Sequence, residues 1–188
     1  MKVLAAIFAL LLPAAPAAAE SGVEAMPFLK LDAGPGPAAM GGAYCAAGEN
    51  AVAVFYNPAS AGLAGRAEVY LGHSEWLEGL RVESLSYVQP YGHRLTFFGT
   101  LNALFSGAMK KYDASGGVLG DFDAREYALG GGLAYYLGAG WYSGAAVKLL
   151  NQSVDGSGGT GWAGDAGLLK KWERWSAGIS VANLGGSI

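Results

Sequence analysis

The sequence predicts an all-β protein. The specific expectation is a transmembrane antiparallel β-barrel, about seven strands of a larger one, preceded by a compact segment that is not strand. Three observations lead there: an exported start, an interrupted apolar composition, and side-chain alternation of period two beyond residue 65. Of 188 residues, 31 are glycine, 52% are hydrophobic and only 14% are charged, against about 25% charged in an average chain. Beyond the first 19 residues no stretch stays apolar for the roughly 18 positions a helical span needs. The apolar content is therefore diluted by alternation, as it is in membrane barrel strands. A secreted soluble β-sandwich that binds apolar ligands is the competing explanation.

Lys2, the apolar run Val3 to Leu12 and the small residues Pro13 to Ala19, ending in an Ala-x-Ala pattern, have the layout of a secretory signal peptide. The apolar run is too short for a transmembrane anchor. Cleavage is expected after Ala19, so residues 1–19 are left out of the fold expectation. The chain carries 12 basic and 15 acidic residues with no basic cluster, so it has no electrostatic footprint for nucleic acid. Its single cysteine, Cys45, allows no internal disulfide and reads as a small buried apolar residue.

Residues 20–64 form one unit. Glu20 to Leu31 look like a flexible lead-in. Asp32 to Ala64 are punctuated by Gly34-Pro35-Gly36-Pro37 and by Asn57-Pro58-Ala59 and contain no strand of useful length. One or two short helical turns and a hairpin are expected there.

Residues 65–188 hold the strands, expected at 66–74, 81–90, 93–107, 123–138, 140–153, 160–171 and 174–183. Strand side chains point to alternate faces. In the third segment Leu95, Phe97, Leu101 and Phe105 share an apolar face, and Thr96, Thr100 and Asn102 a mostly polar one. In the fourth, Tyr127, Leu129, Leu133, Tyr135 and Leu137 share a face opposite small residues. In the sixth, Trp162, Gly164, Ala166, Leu168 and Trp172 align, with Lys170 breaking the run and Asp165 on the other side. The two tryptophans would be about 33 Å apart along a strand, or about 25 Å in height after the usual tilt, matching a lipid-facing band. Trp141, Tyr142, Tyr127 and Trp175 fall near strand ends, where aromatic girdles sit. Segments 66–74 and 81–90 alternate poorly and read as a less regular wall or one partly outside the membrane. Asp113 to Asp123 read as a polar turn or external loop, and Asp155 to Thr160 as a hairpin loop.

No enzyme is indicated. His73 and His93 have no partner at metal-ligand spacing, and His73-Ser74-Glu75 lacks a nucleophile elbow. The glycine runs make no dinucleotide fingerprint. No catalytic residue, metal or cofactor is expected. The lumen-facing polar residues Thr96, Thr100, Asn102, Lys148 and Asp165 are the candidate lining, with solvation as the simple expectation for each.

Gly41-Gly42-Ala43-Tyr44, then Phe55-Tyr56-Asn57-Pro58-Ala59, then His73-Ser74-Glu75-Trp76-Leu77, Tyr87 and Pro90-Tyr91-Gly92 follow one another in an order that resembles the PorV/PorQ family of outer-membrane proteins. These are distant relatives of the FadL-type long-chain fatty-acid transporters, and the resemblance covers about residues 26–188. It implies a hatch segment inside a fourteen-stranded barrel, with Asn57, Pro58 and Ala59 as hatch residues. It also implies a role in transport of hydrophobic compounds or in type IX protein secretion. Outer-membrane lipid, hydrophobic small molecules or secreted proteins would then be the partners. Glu49-Asn50 departs from the paired acidic residues of that pattern. An odd strand count and an end without a final aromatic residue suggest a truncated barrel. A structural or assembly component of the outer membrane, without transport, is the other expectation.

Overall fold

A computed structural model describes residues 26–185, so the expected signal peptide lies outside the described residues. Seven long strands make one antiparallel sheet in chain order: β1 (Glu68–Glu75), β2 (Arg81–Tyr91), β3 (Leu95–Phe105), β6 (Ala124–Gly138), β7 (Trp141–Val154), β8 (Ser157–Lys171) and β9 (Ser176–Gly185). Between β3 and β6 the chain makes a separate two-stranded ribbon, β4 (Met109–Tyr112) and β5 (Val118–Phe122). The protein is thus all-β, and each of the seven expected strands is present within a few residues. An up-and-down order follows from the short connections, because tight hairpins can join only antiparallel neighbours. The β7–β8 turn is Asp155-Gly156, both residues at positive φ, the backbone that two-residue hairpins require.

Several expectations are corrected. Residues 26–31 are no flexible lead-in: Pro27–Lys30 form a 3₁₀ turn, and Met26 and Phe28 are buried against Val82, Leu104, Ala128, Leu150 and Ala163. Residues 32–64 contain no hairpin but a short helix α1 (Pro35–Ala39) and 3₁₀ turns at Ala51–Phe55 and Pro58–Leu63. Segments 66–74 and 81–90 pair regularly, at eight consecutive positions from Glu68↔Val88 to Glu75↔Arg81. Asp113 to Asp123 are not simply a loop, because their second half is β5. Residues 157–160, expected in a loop, already belong to β8.

The two faces of the sheet differ sharply. Read across the register, Leu71, Leu85, Leu101, Leu129, Leu149 and Trp162 form one row on the outward face. Leu71 is 76% exposed, Leu149 62% and Trp162 60%. Among the described residues no second sheet covers this face, since the only other sheet is the β4–β5 ribbon. The inward face is buried and mixed: Ser84, Ser86, Thr96, Thr100, Asn102, Glu126, Lys148 and Asp165 lie among Val82, Val88, Phe98, Leu104, Leu150 and Leu169. What buries them is the segment 26–64, which packs across this face.

The segment links the two edges of the sheet. The Tyr70 hydroxyl of β1 donates to the Ala33 carbonyl at 2.8 Å. The Ala33 N–H donates to the Tyr56 hydroxyl, and the Tyr56 carbonyl accepts from Ser180 Oγ of β9 at 2.7 Å. Tyr70 leans along its own strand, over Gly72, so this bridge starts above β1 and ends at β9. A flat sheet of seven strands would put those edges roughly 28 Å apart, too far for one alanine and one tyrosine to span comfortably. The sheet is concave toward the segment.

Candidate functional site

The segment is held on the concave face mainly through its backbone carbonyls. Ser86 Oγ donates to the Ala51 carbonyl and Ser176 Oγ to the Ala46 carbonyl, each at 2.6 Å. Lys171 pairs with Glu49. Small hydroxyl residues on an inward face suit this work, because a buried carbonyl needs a donor and a longer side chain would hold the segment away.

Asn57-Pro58-Ala59 sits at the centre of the docking. Asn57 is wholly buried. Its Oδ1 accepts from the Ala59 N–H at 2.9 Å, the local bond expected of an Asn before a turn. Its Nδ2 also donates to the carbonyls of Cys45, at 2.9 Å, and of Leu168 in β8, at 3.3 Å. The approach needs glycine in the wall. A Cβ on Gly167 would stand 1.9 Å from Asn57 Oδ1, and one on Gly144 would stand 2.4 Å from the Pro58–Ala59 backbone. The sequence reading identified the turn; it missed these wall glycines, which look like ordinary strand glycines without their partner. Cys45 is only partly buried, and its sulfur lies 3.4 Å from Ser180 Oγ.

Beside this contact lies a cavity of about 320 Å³, between residues 29–33 and 55–56 on one side and the sheet on the other. Thr100, Asn102 and Lys148 line it, as do Leu29, Leu31 and Phe55. Three of the five expected lining residues therefore meet at one cavity. Asp165 stands behind it: Lys148 Nζ is 2.7 Å from Asp165 Oδ2 and 2.8 Å from Asn183 Oδ1. Asp165 Oδ1 also accepts the backbone N–H of Asn183 at 2.8 Å. Asn183 has positive φ and lies where the β8–β9 register slips between Gly164 and Ala166, so the ion pair fixes a bulge in β9. Thr96 is buried on the same face, away from the cavity. Lys148 and Asp165 are buried and paired with each other.

Tyr56 closes one end of the cavity. Burial pushes its phenol well above the ordinary range, partly opposed by the Ala33 N–H and reinforced by Asp32. Its hydroxyl stays protonated and donates to Asp32 Oδ1 at 2.9 Å. Tyr142, expected in an aromatic girdle, instead points inward, against Gly62 and beside Tyr136. Lys170, which interrupts the apolar run of β8, sits 5.4 Å and 5.3 Å from the Trp141 and Trp172 ring centres, an arrangement that suits a cation at an aromatic boundary. Among the described residues no three His, Cys or carboxylate side chains converge as a metal site would require. Comparison with family models, with curated proteins and with solved structures finds no match to this chain.

Proposed function

We propose that this chain forms the wall of an outer-membrane β-barrel of the PorV/PorQ type, exported by its signal peptide, with residues 26–64 as a hatch in the lumen. Its role is transport of hydrophobic compounds or, as in the type IX system, protein secretion, with no catalytic step. The observation that carries the reading is the outward face of the sheet, a contiguous row of exposed apolar side chains, set against a buried inward face on which polar and apolar residues are mixed. In water each exposed leucine forgoes about 1.5–3 kcal/mol of burial, and contiguous apolar surface on this scale marks a contact face. Lipid on that face accounts for the whole row at once.

The height agrees. On β8 the polar boundary Thr160 and the aromatic-flanked Lys170 are ten residues apart, about 33 Å along a strand and about 25 Å after a tilt of roughly 40°. On the same row as Thr160, His73, Glu83 and Asn151 close the apolar band on their strands. Membrane fractionation of cells expressing the chain tests the reading. Recovery in the outer membrane, extraction only by detergent and heat-modifiable gel mobility are expected. Recovery as a detergent-free soluble protein would reject it.

A further inference from the structure

We propose that the cavity under the hatch binds small compounds with an uncharged hydrogen-bonding head, a carboxamide or an alcohol, on an apolar body. The inference names the class of compound the proposed lumen takes, and so rests on that reading. Thr100 and Asn102 line the cavity and are each 8% exposed. Neither the Thr100 hydroxyl nor the Asn102 amide has a hydrogen-bond partner among the described residues, and Asn102 Oδ1 is fully buried without one. Buried polar groups are ordinarily satisfied, so the Asn102 amide, with the Thr100 hydroxyl beside it, is arranged for a partner that the described residues do not supply. On paired strands Asn102 faces Ser84 and Ala128, while Thr100 faces Ser86 and Gly130. Gly130 carries no side chain, and the Thr100 hydroxyl leans over it, while Ala128 lines the cavity and packs into the core beside Met26 and Phe28.

Charge selects the head. Lys148 could suggest an anion, but its ammonium is already matched by Asp165 and Asn183. Asp32 is the one carboxylate in the lining itself, set beside Lys30. A carboxylate ligand would enter a site whose charges already balance, and would lose its hydration without gaining a counter-ion. An amide or hydroxyl head both donates and accepts, which suits an amide that can present either end and a hydroxyl that can do both. Leu29, Leu31, Phe55 and Ala128 receive the apolar body.

The test uses benzamide and benzoate, which share one ring and differ in the charge of the head. Equilibrium dialysis against the purified, detergent-folded chain should show saturable benzamide binding at least tenfold tighter than benzoate. Asn102→Leu, which keeps the volume and removes the amide, should weaken benzamide tenfold or more. It should leave the far-UV circular dichroism and gel mobility unchanged. Benzoate bound equally well or better, benzamide affinity unmoved by Asn102→Leu, or no saturable binding to folded protein would each overturn the proposal; the last outcome would mean the cavity holds water only. Thr100→Val serves as the second variant if Asn102→Leu fails to fold, with the same weakening expected. A chain that purifies without detergent yet still prefers benzamide would reject the barrel and uphold the site, so the two failures are distinguishable.

Discussion

Adding one methyl group to Gly144 should undo the docking of the segment, while the same change at Gly131 should not. Both glycines lie within long strands of the sheet. A Cβ on Gly144 would come within 2.4 Å of the Pro58–Ala59 backbone, whereas one on Gly131 would meet nothing nearer than the Phe98 carbonyl at 3.9 Å. Backbone cannot rotate aside as a side chain can, so Gly144→Ala must lift residues 57–59 from the wall. Asn57 then loses its reach to the Leu168 carbonyl, and its bond to Cys45 is strained. Each buried polar group left unpaired costs about 1–3 kcal/mol, which puts Gly144→Ala at about 2–4 kcal/mol. Gly131→Ala should fall within about 0.5 kcal/mol of the parent, as is usual for changes away from such contacts. Urea unfolding of the chain in vesicles measures both. Proteolysis between residues 45 and 60 should accelerate in Gly144→Ala alone. Equal stability for the two variants, or unchanged proteolysis, would mean that the segment does not depend on the glycine notch.

Leu101→Arg places a cation in the outward apolar row and should cost about 2–4 kcal/mol in vesicles if that row lies near the bilayer midplane; a loss below 1 kcal/mol by urea titration would contradict the facing. Asp165→Asn should destabilise by about 3 kcal/mol by leaving Lys148 buried without its carboxylate, and the double variant Asp165→Leu with Lys148→Met should recover much of that; the same titration checks it, and no recovery would argue against the pairing. Ala19→Asp should leave an uncleaved precursor, because the cleavage site requires small residues; mass spectrometry of the N-terminus reads the outcome, and normal processing would refute the assignment.

Much of the fold was legible because strand geometry is local. Thr96, Thr100 and Asn102 fall on one side of β3, and Leu95, Leu101 and Phe105 on the other, whatever the rest of the chain does. The β4–β5 ribbon escaped because residues 108–122 alternate weakly and carry charges that a solvent-facing loop would also carry. Met26 and Phe28 escaped because two apolar residues in a short turn have no period to reveal which core they join. The candidate lining was legible as a polar face, but not as a cavity: whether Thr96 or Thr100 borders empty space depends on where the segment lies.

Alternation and the placement of glycine, proline and charge by themselves determined the all-β class, the run of seven strands and the two unlike faces, since these depend on neighbours a few residues apart. Only the tertiary structure decided what lies on the inward face, because those contacts join residues far apart in the chain. Asn57 meets the Leu168 carbonyl, Ser180 meets Tyr56, and Lys148 meets both Asp165 and Asn183. A glycine that admits a neighbour's backbone and a glycine that faces nothing are the same letter, and the difference between Gly144 and Gly131 exists only once the segment has folded across the sheet.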